Sequence, residues 1–127
     1  MVHVKTTKEI GDLGEKIAKK YLENKGFEVI AQNYRKKWGE IDLIAVRKSV
    51  YHFVEVKSVA REKLLAGDGE YRPEENVHPH KLKRLHRAIE TYLAEYNIEN
   101  DWQLDVVGVF LNLKDRKAHC RILENVL

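Results

Sequence analysis

The chain holds a single cysteine, Cys120, so no internal disulfide can form. That usage fits a reducing, cytoplasmic setting. No stretch approaches the roughly 18 uncharged apolar residues that a membrane-spanning helix needs, so no membrane partner is expected. The opening Met1-Val2-His3-Val4-Lys5-Thr6-Thr7-Lys8 lacks the apolar stretch of a secretory leader. Net charge is only +3 and by itself indicates no partner. Internal repeats, low-complexity tracts and a linker are all missing, so residues 1–127 are expected to form one domain. A phosphate-cradling glycine loop is missing too: Gly11-Asp12-Leu13-Gly14 lies within a helical pattern, and no Lys-Ser/Thr follows it. His78-Pro79-His80 and His119-Cys120 lack the third and fourth ligands of a closed zinc site.

What remains is an ordinary soluble composition, 43% hydrophobic and 34% charged. The charge is unevenly placed. Arg35-Lys36-Lys37 forms one basic cluster and His80-Lys81-Leu82-Lys83-Arg84-Leu85-His86-Arg87 another, while acids dominate around residues 95–101. Local basic patches on a nearly neutral chain suit an elongated anion better than a diffuse membrane surface. A solvated helix face accounts for the second cluster equally well.

Thr6, with Glu9 three residues on, reads as a capping box. Ile10, Leu13, Gly14, Ile17, Ala18, Tyr21 and Leu22 follow as a core-facing helical stripe that Gly26 ends. Glu15 flanks that stripe, and Gly11 and Gly14 suggest close approach of another backbone. Strands are expected near residues 27–31, 40–47 and 50–57. The third carries Val50, Val54 and Val56 on one face and Tyr51 and Phe53 on the other, as a central strand covered on both sides does. Residues 58–78, with Gly67-Asp68-Gly69, show little periodicity. Pro79 is a favourable first residue for a second helix with Leu82, Leu85, Ile89, Tyr92, Leu93 and Tyr96 on its buried face. Strands near 103–111 and 117–123 complete an order α-β-β-β-α-β-β, a mixed sheet with helices packed on it.

The chemistry is concentrated in Gly39-Glu40-Ile41-Asp42-Leu43-Ile44 and Phe53-Val54-Glu55-Val56-Lys57. Alternation puts Glu40 and Asp42 on one face, with Ile41 and Leu43 on the other, and makes Glu55 and Lys57 neighbours on one face. A hairpin turning about Lys48-Ser49 would set Asp42 opposite Glu55 and Glu40 opposite Lys57. Facing positions hold their Cβ atoms about 4.5–5.5 Å apart, close enough for both carboxylates to hold one ion. Without an ion, two acids beside aliphatic residues cost several kcal/mol. The register depends on the turn: Lys-Ser is a poor two-residue turn, which leaves a wider loop open as the alternative, and a one-residue slip would put the acids on opposite faces.

Acid, hairpin, then Glu-x-Lys in this element order resembles the PD-(D/E)xK nuclease core. The chain closely resembles the YraN-like family of that superfamily, related to archaeal Holliday junction resolvases. The resemblance rests on Gly11-Asp12-Leu13-Gly14-Glu15, Ala18, Tyr21-Leu22, Gly26, Asn33-Tyr34-Arg35, Gly39 to Ala45 and Phe53 to Lys57. It continues through Val77, Lys81, Arg84-Leu85, Ala88, Tyr92-Leu93 and Asp105-Val106-Val107. One departure is Ser58-Val59-Ala60-Arg61, where the family commonly has Arg or Thr-Arg directly after Glu-Val-Lys. It bears on how substrate is held and leaves the metal-binding positions intact.

The resemblance implies a restriction-endonuclease-like α/β fold and a metal-dependent endonuclease acting on branched or structured DNA. Asp42 and Glu55 would hold Mg²⁺ or Mn²⁺ with the Val56 carbonyl, and Glu15 would bring a further acid. Lys57 would position or deprotonate the attacking water, with Glu40 behind it. Arg35, Lys36, Lys37, Lys81, Lys83 and Arg84 would contact phosphates. A homodimer presenting two sites to two strands is part of the same expectation. Plainer readings stand beside these: acids at strand ends facing solvent or salt-bridged to lysine, a lysine snorkelling at a strand exit, a surface glutamate, solvated charges. For Trp38 the choice is between stacking on a splayed base and core packing. The alternative function is a nucleic-acid-binding module whose nuclease site is slow or inactive.

Overall fold

The computed structural model describes residues 5–61, 75 and 77–127. Gly67-Asp68-Gly69 and most of the aperiodic segment around it lie outside those residues. Helix α1 spans Thr7–Asn24, and strands β1, β2 and β3 span Glu28–Lys36, Gly39–Arg47 and Val50–Arg61. Helix α2 spans Pro79–Glu95, and strands β4 and β5 span Trp102–Asn112 and Lys117–Leu123. The order α-β-β-β-α-β-β is the expected one. The strands form one five-stranded sheet in the order β1-β2-β3-β4-β5. All neighbours are antiparallel except β3 and β4, the pair joined across α2. This mixed α/β arrangement is consistent with a restriction-endonuclease-like core. No helix among the described residues is long and apolar enough to cross a membrane.

Both helix starts follow from their capping chemistry. Thr6 Oγ1 accepts from Glu9 N–H at 3.1 Å while the Glu9 carboxylate accepts from Thr6 N–H at 3.0 Å. The capping box satisfies two backbone donors that the first turn would otherwise leave unpaired. At α2, Pro79 occupies the first turn and the His78 ring accepts from His80 N–H at 3.2 Å.

The central strand is covered on both sides, as its alternation implied. Ala18 and Leu22 of α1 pack with Leu43, Ala45, Val54, Val107, Val109 and Leu111. Leu85, Ala88, Ile89 and Tyr92 of α2 pack with Ile44, Phe53 and Leu104. Adjacent strand residues such as Phe53 and Val54 therefore point into different cores. At about 25 cal/mol per Å² of apolar surface removed from water, these two layers supply the main stabilisation.

One local expectation is met and two change. The turn is the two-residue Lys48-Ser49 turn of the symmetric hairpin: both residues adopt left-handed backbone, φ 51° and 65°. This is the backbone that a tight hairpin requires, and Asn100 Nδ2 holds it by donating to the Ser49 carbonyl at 2.9 Å. β1 runs on to Lys36, with a one-residue register shift between Val29 and Ala31 and left-handed backbone at Asn33, φ 51°. Finally, Gly14 is buried against Ser58, as a close approach demands, whereas a Cβ on Gly11 would meet open space.

Candidate active site

The hairpin register is the expected one where it is paired, from Arg47↔Val50 to Leu43↔Val54. There it stops. β3 continues along β4 as far as Arg61↔Asn112, so β2 and β3 fork just where the acids begin. Strict alternation also fails at this point. Ile41 packs in the α2-side core together with Ile44, although odd-numbered Leu43 and Ala45 face α1. The break in the side-chain period lies at Asp42, opposite the left-handed Asn33 on the other flank. The expectation that Ile41 shares a face with Leu43 is thus corrected: the sheet loses its regular pleat at the site.

Into the fork project Asp42 from β2, Glu55, Val56 and Ser58 from β3, Glu15 from α1 and Lys81 from α2, around a cavity of about 210 Å³. Asp42 Oδ2 accepts from the Val56 N–H at 2.7 Å, replacing a ladder bond that the fork removes. The N–H and C=O of one extended residue face the same strand edge. The Val56 carbonyl is therefore directed into the fork as well. Gly14 lets α1 approach closely enough to deliver Glu15: a Cβ there would lie 1.8 Å from Ser58 Oγ.

Electrostatically the three carboxyls are a single strained group. Glu55 is 1% exposed, and burial, then the charge of Asp42, pushes its pKa up to about 7. Glu15 is likewise pushed up to about 7, by desolvation and then by the charge of Asp42 beside it. Asp42 is raised by burial, against the pull of the Val56 N–H and Lys81. Lys81 Nζ sits 2.6 Å from Glu55 Oε1. The other oxygen, Glu55 Oε2, is buried with no hydrogen-bond partner among the described residues. Three carboxyls lining one cavity, the Val56 carbonyl edge and a carboxylate oxygen without a partner among the described residues are hard oxygen donors of the kind that a divalent cation such as Mg²⁺ or Mn²⁺ takes, so the donor chemistry fits such an ion.

Asp42, Glu55, Val56 and Glu15 are thus brought together. Glu40 is placed differently from the expectation: it is exposed and pairs with Arg35 Nε at 3.2 Å, not with Lys57, because the ladder ends before reaching them. Lys57 is half-buried and outside the cavity wall, although its charge acts on Glu55. Lys36 bridges Glu95 at 2.9 Å. Lys37, Lys83 and Arg84 are exposed. Trp38 carries the Arg87 guanidinium over its ring at 4.5 Å, and its buried Nε1 has no partner among the described residues.

Two features were missed. One is the Lys81–Glu55 ion pair, which joins residues of different elements and has no local signature. The other is a second polar group: ligand atoms of His52, Asp105 and Glu124 lie within 4.8 Å of one another and could hold a metal ion. Asp105 is fully buried. It receives His52 Nδ1 at 2.7 Å, Gln103 Nε2 at 2.8 Å and Asn125 N–H at 2.9 Å. The group also clamps the segment after β5, whose Val126 N–H donates to the Leu104 carbonyl at 2.8 Å. Its sequence signals are a histidine on the Val54 face of a core strand and an acid, Asp105, at the start of an apolar run of Val and Gly.

Fold and site define a mixed α/β protein of restriction-endonuclease-like architecture with an acidic cleft at a strand fork. The model of the Uncharacterised protein family UPF0102 matches residues 14–109, and this chain belongs to that family, the YraN-like family of the sequence resemblance. A UPF0102 protein of Alkaliphilus metalliredigens (strain QYMF) is 41% identical over 114 residues, 89% of this chain and 94% of that protein. One from Aliarcobacter butzleri (strain RM4018) is 39% identical over 104 residues, 81% and 87% of the two chains. One from Campylobacter fetus subsp. fetus (strain 82-40) is 34% identical over 102 residues, 80% and 84%.

Proposed function

We propose that this protein is a metal-dependent endonuclease that hydrolyses phosphodiesters in branched or otherwise structured DNA. The observation that carries the reading is Glu55: a carboxylate buried at a strand fork, one oxygen on Lys81 and the other without a partner among the described residues, beside Asp42 and Glu15. A buried acid so poorly compensated is costly to keep for structure alone. Asp42, Glu55 and the Val56 carbonyl would hold Mg²⁺ or Mn²⁺, with Glu15 as a further donor. Such an ion supplies Lewis-acid polarisation of the scissile phosphate and activation of water.

The chain's own residues would do the rest. Asp42, fixed by the Val56 N–H, keeps its carboxylate oriented toward the cleft. Lys57, next but one to Glu55 on β3, would orient the attacking water or take its proton. Lys37, Lys83 and Arg84 would meet backbone phosphates, which position the duplex without reading its sequence. A homodimer would present two such clefts to two strands.

A second reading, a binding module whose site is slow or inactive, is favoured by one observation: Lys57 stands outside the cavity wall. Cleavage of a labelled panel (linear duplex, single strand, flap and four-way junction) with Mg²⁺ or Mn²⁺ tests both, wild type beside Glu55→Ala. Cutting that disappears in the variant supports the nuclease. Binding retained by both proteins with no cutting on any substrate overturns it in favour of the module.

A further inference from the structure

Lys81 is an unusual choice for its position. It lies in the first turn of α2, which contains no acidic residue. The helix dipole disfavours a cation at that end. Its ammonium is nonetheless turned into the cleft, 2.6 Å from Glu55 Oε1 and half-buried. The charges of Asp42 and Glu40 act on it as well. Lysine is a compact point charge on a long flexible stem, able to leave one partner for another without moving the backbone.

From this we infer that Lys81 is a tethered counter-cation that competes with the divalent ion for Glu55 and transfers to phosphate when the ion binds. The inference rests on the metal-site reading above. In the metal-free protein the ammonium neutralises the carboxylate that burial would otherwise strand. A divalent ion held by Asp42 and Glu55 balances the same charge, so loading releases Lys81 at the cavity wall. A DNA phosphate there gives the freed ammonium a new partner. Metal and DNA then favour one another's binding, and by linkage the factor is the same in both directions. The cleft would thus load fully only when substrate is present.

The test is calorimetric titration of the full chain with Mn²⁺, alone and with a hydrolysis-resistant phosphorothioate duplex, for wild type, Lys81→Gln and Lys81→Arg. Removing the competitor should tighten Mn²⁺ binding without DNA by roughly tenfold and abolish the tightening that the duplex causes in wild type. It should also enlarge the rise in Tm on saturation with Mn²⁺, because the metal-free variant lacks the compensating charge. Lys81→Arg keeps a cation and guards against loss of folding in the glutamine variant; it should bind Mn²⁺ no tighter than wild type. Wild type and folded Lys81→Gln binding Mn²⁺ equally would overturn the counter-cation role and leave the metal site standing. Tighter binding by Lys81→Arg than by wild type would also overturn it. No Mn²⁺ bound by wild type would remove the metal reading itself.

Discussion

Asp42 holds the two arms of the strand fork together: its Oδ2 accepts the Val56 N–H at 2.7 Å just beyond the last β2–β3 pair, Leu43↔Val54. One carboxylate therefore replaces a missing ladder bond and presents an acid to the cleft. The two duties separate by substitution. Asp42→Asn keeps an acceptor for Val56 and relieves repulsion with Glu55, so its urea midpoint should match or exceed wild type while Mn²⁺ binding is lost. Asp42→Ala strands the N–H and should cost about 1–2 kcal/mol. Equal stability of the two variants would contradict the role given to this bond.

The raised carboxyls fix the sign of a pH effect. Glu15 and Glu55 ordinarily titrate near 4.5 and here near 7. Between those values the folded chain retains protons that the unfolded chain has released, so stability falls as pH rises through the window. Metal-free wild type should lose Tm from pH 5 to pH 7.5 relative to Glu55→Gln. Saturating Mg²⁺ should flatten the difference by displacing the protons. A wild-type Tm that rises relative to the variant would contradict the assignment.

Close packing of α1 on β3 gives a third expectation. A Cβ at residue 14 would lie 1.8 Å from Ser58 Oγ and 2.9 Å from Ser58 Cβ. Gly14→Ala should therefore destabilise by about 1–3 kcal/mol. Adding Ser58→Gly should recover part of the loss, which a denaturant double-mutant cycle measures. A single variant as stable as wild type would show that α1 does not approach β3 this closely.

The proposed DNA contacts can be sorted by salt dependence. Lys83 and Arg84 are exposed on α2, whereas Lys36 is already bridged to Glu95. Replacing Lys83 and Arg84 together by alanine should reduce the slope of log affinity against log salt by roughly 2. Lys36→Ala should change it less. Fluorescence anisotropy with a duplex across a sodium chloride series separates the two, and equal slopes would argue against α2 as the phosphate-facing element.

Much of the architecture was legible because its signals are local. The capping box at Thr6, Pro79 at the head of α2 and apolar residues on both faces of β3 each follow from a few neighbouring residues. The pairing of residues 43–47 with 50–54 followed from a symmetric hairpin, although Lys48-Ser49 does not advertise its left-handed turn. What stayed hidden depends on distant parts of the chain. Lys81 reaches Glu55 from another element, and His52 meets Asp105 across 53 positions. The pleat reversal at Asp42 hid because alternation assumes continuous pairing, which the fork ends. The same assumption places Glu40 opposite Lys57, while local pairing across β1 and β2 gives it to Arg35.

The most direct measurement is the number of Mn²⁺ ions bound per chain, counted by electron paramagnetic resonance at pH 7.5 for wild type and Glu55→Gln. With Glu15, Asp42 and Glu55 as one cation site, wild type should bind Mn²⁺ and the variant should lose that ion. Wild type that binds none, or a folded variant that binds as much as wild type, would contradict the site.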